Sequence, residues 1–342
     1  MKNTGSAVRF AVVGLGHIGK RHVAYIRQHP EAEVVAVCDL RPAAETGFVD
    51  ADLPYFATIE TLLAARLDPA PDVVCICTPN GLHEAQAILA LEAGMHVVIE
   101  KPMALSKAGC ERIIHKALER SRQVFCVMQN RYSPPSQWLK DIVSRGLLGK
   151  IFLVQINCFW NRDARYYRPG GWHGTRSLDG GTLFTQFSHF VDMLYWLFGD
   201  ITDIQARFGD FNHAALTEFE DTGIVSFRFV EGGGMGALNY STDVWARNLE
   251  SSLTLIAEKG SVKISGQYMN EVEVCEIEGY TLPLLAPTRP PNDYGAYTGS
   301  AANHQYVFEN VVDVLKDRNT ITTHALEGMK VVEMIERVYG GG

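Results

Sequence analysis

Gly14-Leu15-Gly16-His17-Ile18-Gly19 follows directly on an apolar run that ends at Val13. At a strand–turn–helix junction this spacing has a use at each glycine. Gly14 permits the tight turn, Gly16 lets backbone approach a pyrophosphate, and Gly19 lets helix and strand pack closely. The helix that opens with His17 and Ile18 then offers unpaired N–H groups and a positive dipole end to phosphate. Asp39 ends the next apolar run, 39 − 19 = 20 residues after the last glycine. There a carboxylate can accept hydrogen bonds from adenosine ribose hydroxyls and repel a 2′-phosphate, which favours NAD. Arg41, two residues later, could pair with that phosphate and leaves NADP open.

Three polar clusters stand beyond later apolar runs: Thr78-Pro79-Asn80 with His83, Glu100-Lys101-Pro102, and Gln129-Asn130-Arg131-Tyr132. Ligands of open α/β sheets bind outside the carboxyl ends of the strands, so these clusters are expected to line one crevice. An ammonium at Lys101 could act in acid–base chemistry if desolvated, or stand as a solvated lysine after a strand. Thr185, His189 and Asp192 are spaced by four and three, as on one face of a helix. His189 suits transfer of a hydroxyl proton, or is a core histidine satisfied by Asp192. The segment from Phe159 to His173 mixes Arg162, Tyr166 and Trp172 with glycines. Aromatic faces stack on bases and sugar rings and guanidinium forks hold carboxylates and phosphates, a composition suited to a nucleotide-sugar; the alternative is a sheet-edge loop at a subunit contact. The cysteines show no metal-ligand spacing, Cys75 and Cys77 fall within one buried strand, and no metal is expected.

Elements of two kinds must hold these residues. Apolar runs at 9–13, 33–38, 72–77, 95–99 and 123–127 alternate with amphipathic stretches such as 82–93 and 107–120, which predicts parallel strands covered by crossover helices. After about residue 130 a helix to about Arg145 leads to a strand at 151–159. One long helix is expected from Gly180 to Phe198, on the helical spacing of its apolar residues. Strand-like runs at 201–209, 222–230, 235–241, 250–257, 261–265 and 271–276 lack intervening helices and predict an antiparallel sheet. Two helices, near 303–317 and 324–338, close the chain. The expected architecture is α/β, with a dinucleotide-binding domain over 1–128. An α+β substrate-binding and oligomerisation domain covers 129–342, with the last helices packing back on the first domain.

Composition narrows the partners. Thirty-one basic against thirty-nine acidic side chains give a formal charge of −8, with no basic stripe of the kind that neutralises nucleic-acid phosphates. No apolar run reaches the ~18–20 residues that span a bilayer, and Met1 to Ser6 lacks a signal-peptide pattern. Seven scattered cysteines fit a reducing cytoplasm.

The combination of GLGHIG, CTPNGLH, EKP at 100–102 and the GG…H helix at 180–189 resembles the Gfo/Idh/MocA oxidoreductases over essentially the whole chain. The resemblance implies a Rossmann domain, a C-terminal domain with a large, mostly antiparallel sheet, and NAD(P)-linked oxidation of a sugar or cyclitol carbon by homodimers or homotetramers formed through that sheet. By the same resemblance the cofactor residues are Gly14, Gly16, His17, Ile18, Gly19, Asp39, Arg41, Thr78, Pro79, Asn80, His83, Glu100, Lys101 and Gln129. Lys101, His189 and Thr185 would be the catalytic residues. Many members carry aspartate four residues before that histidine; here the position is Thr185. More narrowly, QNRYSPP, FWNRDARYYRPGGW and LDGGTLFTQFSHFVDMLYWLFGD look like the branch that oxidises C3 of UDP-N-acetylglucosaminuronate in surface polysaccharide synthesis. Lys101, Arg131, Arg162, Tyr166, Trp172, Thr185 and His189 would touch that substrate. A free-sugar or inositol dehydrogenase and a non-catalytic NAD(H)-binding regulator are the rival readings.

Overall fold

The β-branched runs of the first third form strands because each can be buried on both faces. The computed structural model describes residues 7–48, 50, 52–295 and 297–340; Met1 to Ser6 lie outside them. The chain divides into two compact units: Met1–Met128 with His304–Met329, and Gln129–Asn303 with Lys330–Gly342.

In the first unit the order is β1 (Val8–Val13), α1 (His17–Gln28), β2 (Ala32–Cys38), α2 (Ala43–Thr46), β3 (Tyr55–Phe56), α3 (Ile59–Ala64), β4 (Val73–Ile76), α4 (His83–Glu92), β5 (His96–Ile99), α5 (Lys107–Glu119) and β6 (Val124–Cys126). Among the described residues the strands make one parallel sheet in the order β3-β2-β1-β4-β5-β6, reversing direction of growth between β1 and β4. β3, only two residues long, is absent from the sequence expectation because so short a run carries no periodicity. Val73, Val74, Cys75 and Ile76 are fully buried, as are Val97, Val98 and Ile99. Each such aliphatic side chain contributes about 1.5–3 kcal/mol of burial free energy. The helix His304–Leu315 packs on α1 within this unit, where Phe308 meets Phe10 and His22 edge-on.

In the second unit α6 (Pro134–Ser144) precedes β7 (Ile151–Phe159); after the helical segment described below come β8 (Ile201–Gly209), β9 (Thr222–Phe229), β10 (Met235–Ser241), β11 (Glu250–Ala257), β12 (Gly260–Ser265) and β13 (Glu271–Ile277). These described strands form one sheet in the order β13-β12-β11-β7-β10-β9-β8. The expected antiparallel pairing holds everywhere except at its centre, where β7 and β10 run parallel. A parallel pair needs a long crossover, and the chain from 160 to 234 supplies it.

Alternation sorts the two faces. Along β9, Val225, Phe227 and Phe229 are buried and Ile224 is 58% exposed. Ile224, Met235, Phe152, Leu153 and Ile256 leave the outer face apolar and open. The inner face is covered by the segment 182–198, whose Phe187 packs on Trp160 and Tyr240 and whose Phe198 packs on Phe229. That segment is apolar all round, the pattern of a buried helix. It begins at Thr182 rather than Gly180, and it is not a uniform α-helix. Leu183–Phe187 form a π turn before α7 (Ser188–Phe198), an insertion that helical spacing does not register and that recurs at functional sites. Among the described residues, no helix is long and apolar enough to cross a membrane.

Candidate active site

The glycine turn of the first unit is built as its spacing implies. Gly14 has φ +91°, and a Cβ there would lie 2.6 Å from the Cys77 carbonyl oxygen. A Cβ on Gly19 would lie 1.7 Å from the Gly14 carbonyl oxygen, so only glycine lets α1 lie this close to β1. Gly16 differs: an added Cβ would meet nothing within 4 Å. Space stands open beside the start of α1, where Gly16 and His17 are exposed, Ile18 is half-buried, no side chain caps the helix and no acid occupies its first turn. That open cradle and its uncapped N–H groups fit the pyrophosphate of a dinucleotide.

Asp39 sits at the adjoining strand end. Its Oδ2 accepts from the Leu15 N–H at 2.7 Å and from the Arg41 guanidinium at 2.9 Å, and its Oδ1 accepts from the Arg41 N–H at 2.9 Å. Burial opposes ionisation, but Arg41 and the two backbone donors outweigh it and hold the carboxyl below its usual range. Arg41 is thereby committed to Asp39, and the strand end presents a fixed anion in place of an available guanidinium.

Of the Thr78–His83 cluster, Thr78 Oγ1 donates to Gln86 Oε1 at 2.6 Å, Pro79 is half-buried and Asn80 is buried. His83, an expected cofactor contact, is fully buried. Its Nδ1 lies 2.8 Å from the Pro102 carbonyl and its Nε2 2.9 Å from the Thr78 carbonyl. Burial pulls its pKa down against those carbonyls. The ring ties the loop after β4 to the residue after Lys101, which makes it a brace.

Glu100 is the hub beneath Lys101. The half-buried Cys77, its thiol pushed well up by desolvation, stands 3.3 Å from His22 Nδ1; His22 Nε2 in turn lies 2.8 Å from Glu100 Oε1, and Glu100 Oε2 accepts from the Lys101 N–H at 3.3 Å. A thiol donating to Nδ1 leaves the ring proton on Nε2, so the chain of donors runs to the carboxylate. His304 Nε2 lies 3.6 Å from Glu100 Oε1, the oxygen that His22 faces. Burial penalises the charge on Glu100, yet His22 and His304 hold its pKa well below normal. The sequence reading missed His22 and His304; neither has a neighbour at helical or motif spacing to announce it.

In the second unit each of the three residues that helical spacing groups has a partner from outside that helix. Thr185 donates its hydroxyl to the Asp179 carboxylate. His189 Nε2 faces the Gln129 amide nitrogen at 3.0 Å. Asp192 takes the Arg131 guanidinium on both oxygens, at 2.9 and 2.5 Å, with both side chains buried. Arg131, expected at the substrate, is engaged by this ion pair and by the face of Trp196. With Gln129 donating, His189 Nε2 is the acceptor and the neutral ring carries its proton on Nδ1. Asp179 is the notable omission from the sequence reading. Buried, with its Oδ2 accepting from the Gly174 N–H at 2.8 Å, it brings a carboxylate to Thr185 from six residues upstream. The LDGG stretch at 178–181 was its signal.

The loop after β7 is packed around Arg162. This guanidinium is buried and donates to Gln186 Oε1 at 2.7 Å, the Asn161 carbonyl at 2.7 Å, Asn248 Oδ1 at 3.3 Å and the Thr298 carbonyl at 3.2 Å. The rings of Trp160, Tyr166 and Tyr297 surround it at 4.9–5.2 Å. Burial lowers its pKa, and among the described residues no carboxylate pairs with it. The Tyr166 hydroxyl accepts from Gln186 Nε2 at 2.7 Å, and the Tyr166 and half-exposed Trp172 rings flank His173 at 4.1 and 3.8 Å. The loop presents an unneutralised cation ringed by aromatics.

Residues 8–128 match the oxidoreductase family with an NAD-binding Rossmann fold, and residues 136–263 match the GFO/IDH/MocA C-terminal domain. A solved WlbA dehydrogenase from Chromobacterium violaceum, in complex with NADH and UDP-GlcNAcA, is 33% identical, with 98% of this chain and 94% of that one covered and a TM-score of 0.86. The chain belongs to the Gfo/Idh/MocA oxidoreductase family. WlbA from Bordetella pertussis, with the same two ligands, is 30% identical over 97% of this chain and 95% of that one, with a TM-score of 0.82. The chain spans 52–61% of the length of several curated relatives it matches. One is the D-glucoside 3-dehydrogenase of Escherichia coli, 28% identical over 200 residues, 57% of this chain and 55% of that one.

Proposed function

We propose that this protein is an NAD-dependent dehydrogenase that oxidises the C3 hydroxyl of a UDP-N-acetylated sugar, in particular UDP-N-acetylglucosaminuronate, for surface polysaccharide synthesis. Arg162 is the observation that carries the anionic-sugar reading. A buried guanidinium held only by neutral acceptors leaves its charge unbalanced until an anion arrives. The near full-length similarity to two proteins crystallised with NADH and UDP-GlcNAcA supports it.

Gly14, Gly16 and Gly19 with the start of α1 would hold the pyrophosphate, and Asp39 the adenosine ribose. Bound NAD supplies the acceptor for the carbinol hydride. The chain's own work is to position and to move the proton. Lys101 takes the hydroxyl proton as the alcohol becomes a ketone, and the buried Glu100 beneath it fixes its peptide. His189, with Nε2 occupied by Gln129, has its Nδ1 proton as the one it can donate to a substrate oxygen. Thr185 and Asp179 hold the π turn that carries Gln186, the partner of Arg162. Geometry dominates the rate under this scheme. The open apolar face around Ile224 and Met235 supports self-association through the sheet.

The test is NADH formation with UDP-N-acetylglucosaminuronate, UDP-N-acetylglucosamine, free N-acetylglucosamine and inositol as alternative substrates. The nucleotide-linked uronate is expected to turn over fastest. Turnover of the free polyols alone refutes the nucleotide-sugar assignment, and NADH binding without any turnover points to the regulator. Lys101→Met is expected to abolish turnover and retain NADH binding; activity like the native protein's removes the role given to Lys101.

A further inference from the structure

In the second unit three side chains from separate loops converge beside Tyr167. His213 lies in the loop after β8, Asp221 directly before β9 and Asp243 directly after β10. The pairing of Thr222 with Ser241 brings the two aspartates to the same end of the sheet. The His213 and Asp221 side chains are 1% and 0% exposed, and that of Asp243 is 20% exposed. The His213 ring packs on Tyr167 with centroids 5.3 Å apart.

Their hydrogen bonding is half complete. Asp221 Oδ2 accepts from the backbone N–H groups of Phe211, Asn212 and His213 at 2.7, 2.8 and 3.3 Å, which fastens the loop. Asp243 Oδ2 receives a long contact from the Thr222 hydroxyl, 3.4 Å, and the Asn212 side chain also donates to this carboxyl. Burial beside Asp221 pushes it up so that the two carboxyls can share a proton. The other atom of each group, Asp221 Oδ1, Asp243 Oδ1 and His213 Nε2, is buried with no hydrogen-bond partner. Among the described residues neither carboxylate has a lysine or arginine partner. Two carboxylates, one imidazole and three empty lone pairs in one place are costly unless something positive shares them.

The dimensions suit a metal ion. One ligand atom from each residue lies within 4.8 Å of the others, and His213 Nε2 is 3.5 Å from Asp243 Oδ1. Zinc bonds of ~2.1 Å imply a tetrahedral edge of about 3.4 Å. An imidazole with two carboxylates favours a transition ion over calcium or magnesium, which take oxygen alone. We propose that His213, Asp221 and Asp243 form a binding site for a divalent transition ion of the zinc class, which fastens the 210–221 loop beneath the segment carrying Arg162, Tyr166 and Tyr167. Sequence spacing conceals such a site, since its ligands are 8 and 22 residues apart (221 − 213 and 243 − 221) on different loops.

The test is calorimetric titration of the tag-free, chelator-treated and dialysed protein with zinc, manganese and calcium chlorides, alongside metal analysis of the protein as purified. One zinc ion per chain is expected, with calcium weaker by at least about a hundredfold. Asp243→Asn and His213→Gln should each weaken zinc by at least about a hundredfold, the most that outer-shell changes alone produce. His304→Gln, in the separate His22–Glu100–His304 group, should leave zinc binding unchanged. Circular dichroism checks each variant's fold, and His213→Gln carries the test if Asp243→Asn does not fold. The site is refuted if the native protein takes up no zinc, if zinc binding survives both variants, or if calcium binds equally well and His213→Gln makes no difference.

Discussion

Alanine at positions 16 and 19 distinguishes a cofactor cradle from a merely tight turn. Gly16 has φ −68° and ψ −165°, a conformation any residue adopts, and an added Cβ meets nothing within 4 Å. Gly16→Ala should therefore fold as well as the native chain, or gain about 0.4–1 kcal/mol through a less flexible unfolded state. Its new methyl group stands in the space assigned to the pyrophosphate. Moving the phosphates away from the helix start loses charge-assisted hydrogen bonds worth about 1.5–3 kcal/mol each. Loss of one such bond weakens NADH between roughly tenfold and a hundredfold. Gly19→Ala reverses the pattern, because its Cβ would sit 1.7 Å from a backbone oxygen; separating α1 from β1 should cost about 1–3 kcal/mol or more. NADH titration by fluorescence and urea unfolding in one buffer read both quantities. If folded Gly16→Ala binds NADH like the native protein, the dinucleotide is not held here and the reasoning fails.

Three further outcomes follow from the observed contacts. Asp39→Asn frees Arg41 from its carboxylate and should shift preference towards NADP by about tenfold or more; an unchanged ratio of the two cofactors in steady-state kinetics would contradict the role given to Asp39. Burial pushes Glu220 up to about 7 from 4.5 although Tyr339 and Tyr240 donate to it, so the folded state holds a proton the unfolded chain has lost. Its stabilising contribution is complete below about pH 4.5 and is lost as pH rises through 7, by at most about 3 kcal/mol. Glu220→Gln should accordingly be more stable than the native protein near pH 8 and similar to it near pH 5 in urea titrations, and equal stability at both would refute the shift. Asp192→Asn strands the buried Arg131 charge and should cost about 3–5 kcal/mol in the same assay; a loss below 1 kcal/mol would show that the pair is not closed in solution.

The contrast between elements legible in the sequence and partners that were not follows range. Apolar runs and glycine positions yielded the parallel sheet, the turn at Gly14–Gly19 and the strands of the second sheet, since these depend on periodicity and backbone freedom within a few residues. The parallel alignment of β7 with β10, the brief β3 and the π turn at Leu183–Phe187 were not legible. Each is set by what packs across the sheet and not by its own run of side chains.

Partners escaped the sequence more often than elements did. Helical spacing places Thr185, His189 and Asp192 side by side, yet they turn to Asp179, Gln129 and Arg131. His83 stands in a motif that suggests contact with a ligand and is buried between two backbone carbonyls. Which residues can carry charge, turn tightly or donate a proton was determined by the sequence alone, because those are properties of one side chain and its immediate backbone. Which of them stay charged, face solvent or find a partner was decided only by the tertiary structure, because burial and hydrogen-bond geometry depend on groups brought together from distant parts of the chain.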